Sequence, residues 1–475
     1  MSKQRTSIDP RFVILVCTGL IMLALRPTAT HQWARQQAHS GFQALESDQA
    51  APALTAFEAA ILAEPGLGAL HVTTARLALL TDDLERARYH LDQAEAQGIT
   101  HPDLICLGYV VDILDSSLEE TESPIRPDED CNSLIPILID RTRQLMDASQ
   151  WLAAHNLLEQ ALGWQPEDAQ IVAELGLLQS ISNPEQAIET LERANQLSGG
   201  SDALSLGLIR AIEDSRPSAD RAFTLAQVGQ ALSRFGLWQE ASWAFQRSLL
   251  LHPGYVEARA YLGLALDQIG QNGYEHLAEA ESAYPNAALP HLFLGMHWSA
   301  RGELSQAQLE LEIAVGLDPE NPSAWAELGS VYAQQGLVVE AKSAFIQAAT
   351  LAPSEWEFWF LLAQFSLNLE IEIADLGIPA ARNLISLDPD DPRSYDLLGY
   401  AHFLNGNIQL AERLLLESIS LQPSLASAQY HLGQLRRWQG ELAQSQAAFE
   451  LALQLDPNGP IGELARRALG LPLTQ

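Results

Sequence analysis

The chain has 475 residues, 47% of them hydrophobic, which is enough for several domains or one long array. It carries 27 Lys and Arg against 60 Asp and Glu, a formal charge of −33. A surface of that sign repels phosphate backbones, which bind through clustered cations, so nucleic acid is excluded as a partner and anionic lipid headgroups are disfavoured as ligands of the main body.

In chain order, the first element is apolar. Lys3, Arg5 and Arg11 precede the run FVILVCTGLIMLAL, Phe12 to Leu25, and Arg26-Pro27 closes it. Fourteen residues of helix rise about 21 Å, short of a hydrocarbon core of roughly 30 Å. Flanking residues can extend the span while Arg11 and Arg26 snorkel, so segment 1–33 is read as an uncleaved N-terminal membrane anchor. A cleaved secretory signal is the alternative, although Thr28-Ala29-Thr30 is a poor cleavage pattern. Cations on the N-terminal flank place the bulk of the chain outward, on the extracytoplasmic side. Val16 stands before Cys17 where a lipid-attachment site needs a small residue. The three cysteines, Cys17, Cys106 and Cys131, form neither a zinc motif nor an even disulfide framework; a Cys106–Cys131 bridge is compatible with the sequence but not required by it.

Residues 34–114 show helical apolar spacing, with Ala53, Phe57, Ala60 and Pro65 in one segment and Ala75, Ala87, Leu91 and Ala94 in the next. Residues 115–134, DSSLEETESPIRPDEDCNSL, are acidic and without apolar period, and read as a loop or linker. Helical spacing resumes over 135–220, through Ala154, Leu158, Ala161 and Pro166, then Gly176, Ala187, Leu191 and Ala194. A break around Ser215 to Ala219 leaves Ala203–Asp214 as a helix without an obvious partner.

From 221 to 459 the chain keeps a ruler. Small residues recur at Gly229, Gly263, Gly295, Gly329, Ala363, Gly399 and Gly433, and prolines at Pro253, Pro285, Pro319, Pro353, Pro389, Pro423 and Pro457. Both sets step by about 34 residues. A third set, Gly236, Gly270, Gly302, Gly336, Gly406 and Gly440, marks a turn inside each unit, and proline, lacking an N–H donor, stops each second helix. Each unit is thus two helices, and the small residues are expected where one helix backbone approaches the other. The last segment, 460–475, carries Glu463, Arg466 and Arg467 on one helical face and reads as a polar cap.

The unit Pro322–Pro353 resembles the tetratricopeptide repeat family: Trp325, Leu328, Gly329, Tyr332, Ala341, Phe345, Ala348 and Pro353 occupy its eight signature positions. The resemblance implies an all-α protein of about eleven stacked helix-turn-helix units, some degenerate, coiling into a right-handed superhelix with a concave groove.

No enzyme site emerges, and neither a cofactor nor a metal is expected. No phosphate-binding G-x-x-x-x-G-K-[ST] or nucleophile G-x-S-x-G occurs. His291 and His297 fall on different helix faces, His402 and His431 sit among apolar neighbours, and Asp388, Asp390 and Asp391 read as a solvated turn. The family's inward first-helix positions, carried onto this chain, give Leu292, Met296, Ser299, Ser330, Gln334, Phe360, Gln364, Arg393, Tyr400, Phe403, Tyr430, Gln434, Arg437 and Trp438. Aromatics beside arginine are the usual composition of binding hot spots. Chaperone-binding members grip a peptide carboxylate with Lys, Asn and Arg, where this chain has Ala326, Ser330, Phe360 and Gln364. The expected partner is therefore a protein or peptide with apolar anchors and basic flanks, held by a non-catalytic scaffold in an envelope complex. A glycan-assembly accessory with an aromatic-lined groove is the alternative.

Overall fold

The computed structural model describes residues 29–47, 49–81, 83–116 and 134–472. The expected apolar helix at 12–25, Cys17, Cys131 and most of the acidic loop lie outside the described residues. Among the described residues every regular element is helical, and no helix is long and apolar enough to cross a membrane. Cys106, buried in its helix, is disulfide-bonded.

The chain divides into two compact units, Met1–Ala258 and Arg259–Gln475. The first contains α1 (Ala29–Glu46), α2 (Ala50–Ala63), α3 (Gly68–Leu80), α4 (Leu84–Ala96), α5 (Pro102–Ser116), α6 (Ile135–Asp147), α7 (Trp151–Trp164), α8 (Ala169–Ser182), α9 (Pro184–Leu197), α10 (Ala203–Ser215), α11 (Arg221–Arg234) and α12 (Trp238–Leu251). The boundary falls in α13 (Val256–Gln268), and the second unit continues with α14 (Tyr274–Ala283), α15 (Ala288–Ala300), α16 (Leu304–Leu317), α17 (Pro322–Gln334), α18 (Val338–Leu351), α19 (Trp356–Asn368), α20 (Ile378–Leu387), α21 (Pro392–Leu404), α22 (Ile408–Leu421), α23 (Ala426–Gln439), α24 (Leu442–Leu455) and α25 (Pro460–Leu469). Eleven helical hairpins result among the described residues, with α5, α10 and α25 as single helices.

Local chemistry sets the helix starts. Asn321 and Asp391 cap α17 and α21 by accepting from backbone N–H groups, and a proline follows each at the first helical position, where no N–H is needed. The six turn glycines at 236, 270, 302, 336, 406 and 440 all have φ between 72° and 83°, a conformation open to glycine at little cost.

The crossing glycines add a side-chain partner to the close approach that the sequence leads one to expect. A Cβ on Gly229, Gly329 or Gly433 would meet the ring of Phe245, Phe345 or Phe449 at 2.6, 2.9 and 2.7 Å, and Gly295 and Gly399 face Leu311 and Leu415. The small residue makes room first for the large side chain sixteen positions on, and at Gly399 the partner backbone is close as well, a Cβ there lying 3.1 Å from the Leu415 nitrogen. The same pairing joins Gly41 to Phe57, extending the pattern into α1, where the sequence reading had not found it. In the 32-residue step the backbones come closer still: a Cβ on Gly273 would overlap the Gly263 carbonyl oxygen. Signature tryptophans link successive units, Trp325 and Trp359 donating from Nε1 to the carbonyls of Pro319 and Pro353 at 2.8 and 3.0 Å.

Within the first unit, α10 has partners after all. Leu208 and Ile212 are buried, and the helix packs against α8, α9 and α11. Helix α12 then returns over α6 and α7. Gln239 donates to Asp147 at 2.8 Å, Trp243 meets Trp151 edge-on at 6.0 Å, and the Arg247 guanidinium lies 4.8 Å from the Trp151 ring centre. Arg143 pairs with buried Glu174 through two hydrogen bonds, at 2.9 and 3.1 Å. From Glu174 to Ile181 helix α8 is consequently buried on every face, including polar Glu174, Gln179 and Ser180.

Within the second unit the first helices α15, α17, α19, α21 and α23 each touch the next first helix as well as their own partner, which sets them on the inner side of the stack. The 36-residue step holds a two-residue insertion after α19, where Glu370 and Glu372 adopt φ of 52° and 47° and a π-turn, Ile373–Gly377, leads into α20.

Candidate interaction face

Helices α19, α21 and α23 present their inner faces side by side. Trp356, at the start of α19, stacks on Phe360 one turn later, 4.7 Å between centroids and 21° between planes. From α21, the Arg393 guanidinium sits 4.2 Å from the Trp356 ring centre, a cation–π contact. The α21 cap, Asp391, holds that guanidinium in place, accepting from Arg393 Nε and from its backbone N–H at 3.0 and 2.8 Å. Burial opposes ionisation of Asp391, but the hydrogen bonds from Arg393 outweigh it and hold the carboxyl below its ordinary pKa. Asp391 is 8% exposed, so the acidic turn at 388–391 is not simply solvated: one of its three carboxylates is a buried cap.

One repeat further on, Tyr400 of α21 lies flat on His431 of α23, at 4.0 Å and 12°. His431 Nδ1 is 2.7 Å from Oδ1 of Asp396, which is buried on α21. Burial first, then Glu370, Tyr430 and Asp396, pushes the Tyr400 hydroxyl up to about 12, so it stays protonated. Phe403 stacks beside Tyr400 at 6.2 Å and covers the small apolar cluster of Ala411, Leu415 and Leu435. On α23, Gln434 donates from Nε2 to the Tyr430 hydroxyl at 3.0 Å, while its carbonyl oxygen is buried without a hydrogen-bond partner. Tyr430 packs on Phe449 at 5.5 Å. Arg437 lies 4.8 Å from the Phe449 ring centre and donates to the Ala468 carbonyl of α25 at 2.6 Å.

Of the residues expected to line a groove, Phe360, Gln364, Tyr400, Phe403, Tyr430 and Gln434 come together as partly exposed side chains on these three helices. Met296 is partly exposed on α15, and Ser299 and Ser330 likewise on their own first helices. Gln334 is exposed near the end of α17, and Trp438 is 66% exposed at the end of α23. Leu292 is a correction: at 4% exposure it lies inside α15's packing, as do Ala326 and Asp396 at the equivalent positions of α17 and α21. That position falls in the contact between successive first helices, so only a large ring such as Phe360 or Tyr430 reaches past it. Arg393 and Arg437 have their guanidinium groups engaged within the chain.

Sequence reasoning missed Trp356, Asp396 and His431 as parts of this face. Asp396 and His431 stand thirty-five positions apart, one repeat plus one residue, which is the signal that could have paired them. Other histidines have local partners: His291 meets Glu310 at 2.7 Å and the Pro285 carbonyl at 3.0 Å, and His297 meets Asp267 at 2.6 Å. Among the described residues no three His, Cys, Asp or Glu side chains converge as metal ligands.

Residues 294–355 and 397–460 match the family model for the tetratricopeptide repeat. Tyr400, Phe403, Tyr430, Gln434, Arg437 and Trp438 all lie within the second stretch. Over 228 residues the chain is 25% identical to the anaphase-promoting complex subunit CDC16 of Saccharomyces cerevisiae, covering 46% of this chain and 26% of that protein. The chain thus spans about a quarter of the length of that curated relative. Among solved structures, the APC/C hetero-tetramer Cut9-Hcn1 aligns at 17% identity with a TM-score of 0.40, covering 96% of this chain and 93% of that one. YrrB, described as a TPR protein with an unusual peptide-binding site, aligns at 19% identity with a TM-score of 0.33, covering 41% and 98%.

Proposed function

We propose that the protein is a non-catalytic scaffold that holds a partner protein or peptide on the inner face of the repeats in its second unit, within an envelope-associated complex. The repeats support interaction with proteins in general. The observation that carries the particular face is the strip of partly exposed Phe360, Gln364, Tyr400, Phe403 and Gln434 on adjacent first helices, with strongly exposed Trp438 beyond it. Aromatic side chains on rigid helices supply contact area at low entropic cost, which is the composition of binding hot spots. The named relative is a subunit of a multiprotein complex, which accords with such a role. Trp356 is covered by Phe360 and Arg393, and Tyr400 by His431, which leaves Phe403 and Trp438 as the rings open to a ligand, fewer than a sugar chain would stack along.

The extracytoplasmic setting rests on the N-terminal apolar run, read as an anchor, with a cleaved signal as the alternative. The disulfide at Cys106 supports it, since such bonds persist in oxidising compartments.

Photo-crosslinkable residues at Gln364, Phe403 or Trp438, set against Leu309 and Val339 on exposed parts of the second helices, test the face in native membranes. One common protein adduct from the first set, absent from the second, is the expected mass-spectrometric result; adducts only from the second set would end the reading.

A further inference from the structure

We propose that the partner segment held on this face is cationic: a peptide whose arginine side chains stack against Phe403 and pair with the carboxylates of Glu357 and Glu370. The inference rests on the docking face proposed above and adds the chemistry of its occupant.

The first argument is a count of cations. The second unit carries 26 Asp and Glu against 10 Lys and Arg. Every cation on its first helices is already occupied: Arg259 by Glu279, Arg393 by Asp391, Arg436 by Glu412 and Glu441, and Arg437 by the Ala468 carbonyl. Arg301, just past the end of α15, is held by Asp267, and Lys342, on a second helix, by Glu372. Arg382 and Arg413 sit on second helices, and on α25 Arg466 donates to the Pro457 carbonyl while Arg467, whose charge reaches Tyr430, pairs with Glu463. An anionic segment would therefore find no uncommitted cation where the aromatic strip lies.

The second argument is that the face keeps acceptors in reserve. Glu357 at the start of α19 and Glu370 after its end are exposed. Their fields reach this strip, Glu357 acting on Arg393 and Glu370 on Tyr400. Exposed carboxylates call for N–H groups, and a guanidinium brings five of them on a planar surface that stacks on rings.

The third argument is an internal precedent. The chain already places its own Arg393 over Trp356 beside the Asp391 carboxylate, 4.2 Å from the ring centre. Phe403, near the far end of α21, is a partly exposed ring that has no arginine over it among the described residues. A partner arginine would repeat there what Arg393 does at Trp356.

Fluorescence anisotropy of the full chain with two peptides of equal length and aromatic content, one bearing arginines where the other bears glutamates, decides the matter. The arginine peptide should bind, weaken as salt rises, and lose about tenfold on the double change Glu357→Gln and Glu370→Gln. The control pair Glu340→Gln and Glu417→Gln, exposed on second helices, should leave affinity unchanged. Equal loss in both pairs would mean diffuse attraction to an acidic surface and overturn the inference, as would equal or tighter binding of the glutamate peptide, or binding of neither. If both peptides bind alike and Phe403→Leu weakens both, the docking face stands and the cationic occupant falls. If the arginine peptide binds and ignores Phe403→Leu, the face itself is refuted as its site.

Discussion

Gly433 has no room for a methyl group, because a Cβ would sit 2.7 Å from the Phe449 ring, which is itself 1% exposed and cannot swing away. Gly433→Ala should therefore overpack the hairpin and lower stability by about 1–3 kcal/mol, read as a lower urea midpoint at constant slope. The glycine's place was legible from its 34-residue spacing; its reason was not, since the ring it accommodates lies on the other helix. A second residue-scale device lies in the first unit. His71 and His90 are buried with their Nδ1 atoms 2.8 Å apart, so one must donate and the other accept. Burial and then His90 lower the His71 pKa; burial also lowers that of His90, against the pull of Glu58 and with help from Arg86, while the Tyr89 ring packs edge-on against His90. Because the folded state favours the neutral pair, the unfolded chain takes up protons first as pH falls below the ordinary histidine value of about 6.5, so this contribution is present above that value and lost below it. His71→Asn should shrink the drop in thermal midpoint between about pH 7.5 and about pH 5 relative to the unaltered chain. An unchanged drop would remove the pair from the account.

At the scale of elements, repeat spacing foretold the hairpins, and departures from it foretold irregularities without their form. The 32-residue step became a backbone contact between Gly263 and Gly273, and the 36-residue step became a π-turn with two glutamates in the left-handed region. Helix α10 was visible as a helix but not as a packed one, because its contacts come from α8, α9 and α11. The turn that follows it ends at Ala219, with φ of 52° on an exposed residue. Ala219→Gly should relieve that conformation and raise stability by about 0.5–1 kcal/mol, the steric gain exceeding the added freedom of the unfolded chain. A lower urea midpoint in the variant would show that the turn is not strained.

For the whole molecule, the two compact units use the same hairpin to different ends. Around α8 the first unit closes on itself, α12 returning to α6 and α7, so the inner surface that a repeat stack would offer is taken up by the chain. The second unit leaves the inner side of its stack partly open, and its acidic balance sets what can approach. The Cys106 disulfide offers a test of where the protein works. Mature protein denatured without reductant should resist alkylation at Cys106 and become fully labelled after reduction; ready labelling before reduction would count against an oxidising compartment. The sequence by itself determined the hairpin, its period and its helix ends, because glycine conformations, proline's missing donor and apolar spacing are properties of short stretches of chain. Only the tertiary structure decided which inward residues remain open, burying Leu292, engaging Arg393 and Arg437, and joining His431 to Asp396. That outcome depends on packing between helices a full repeat apart, where side-chain size and charge on one unit fix the exposure of another.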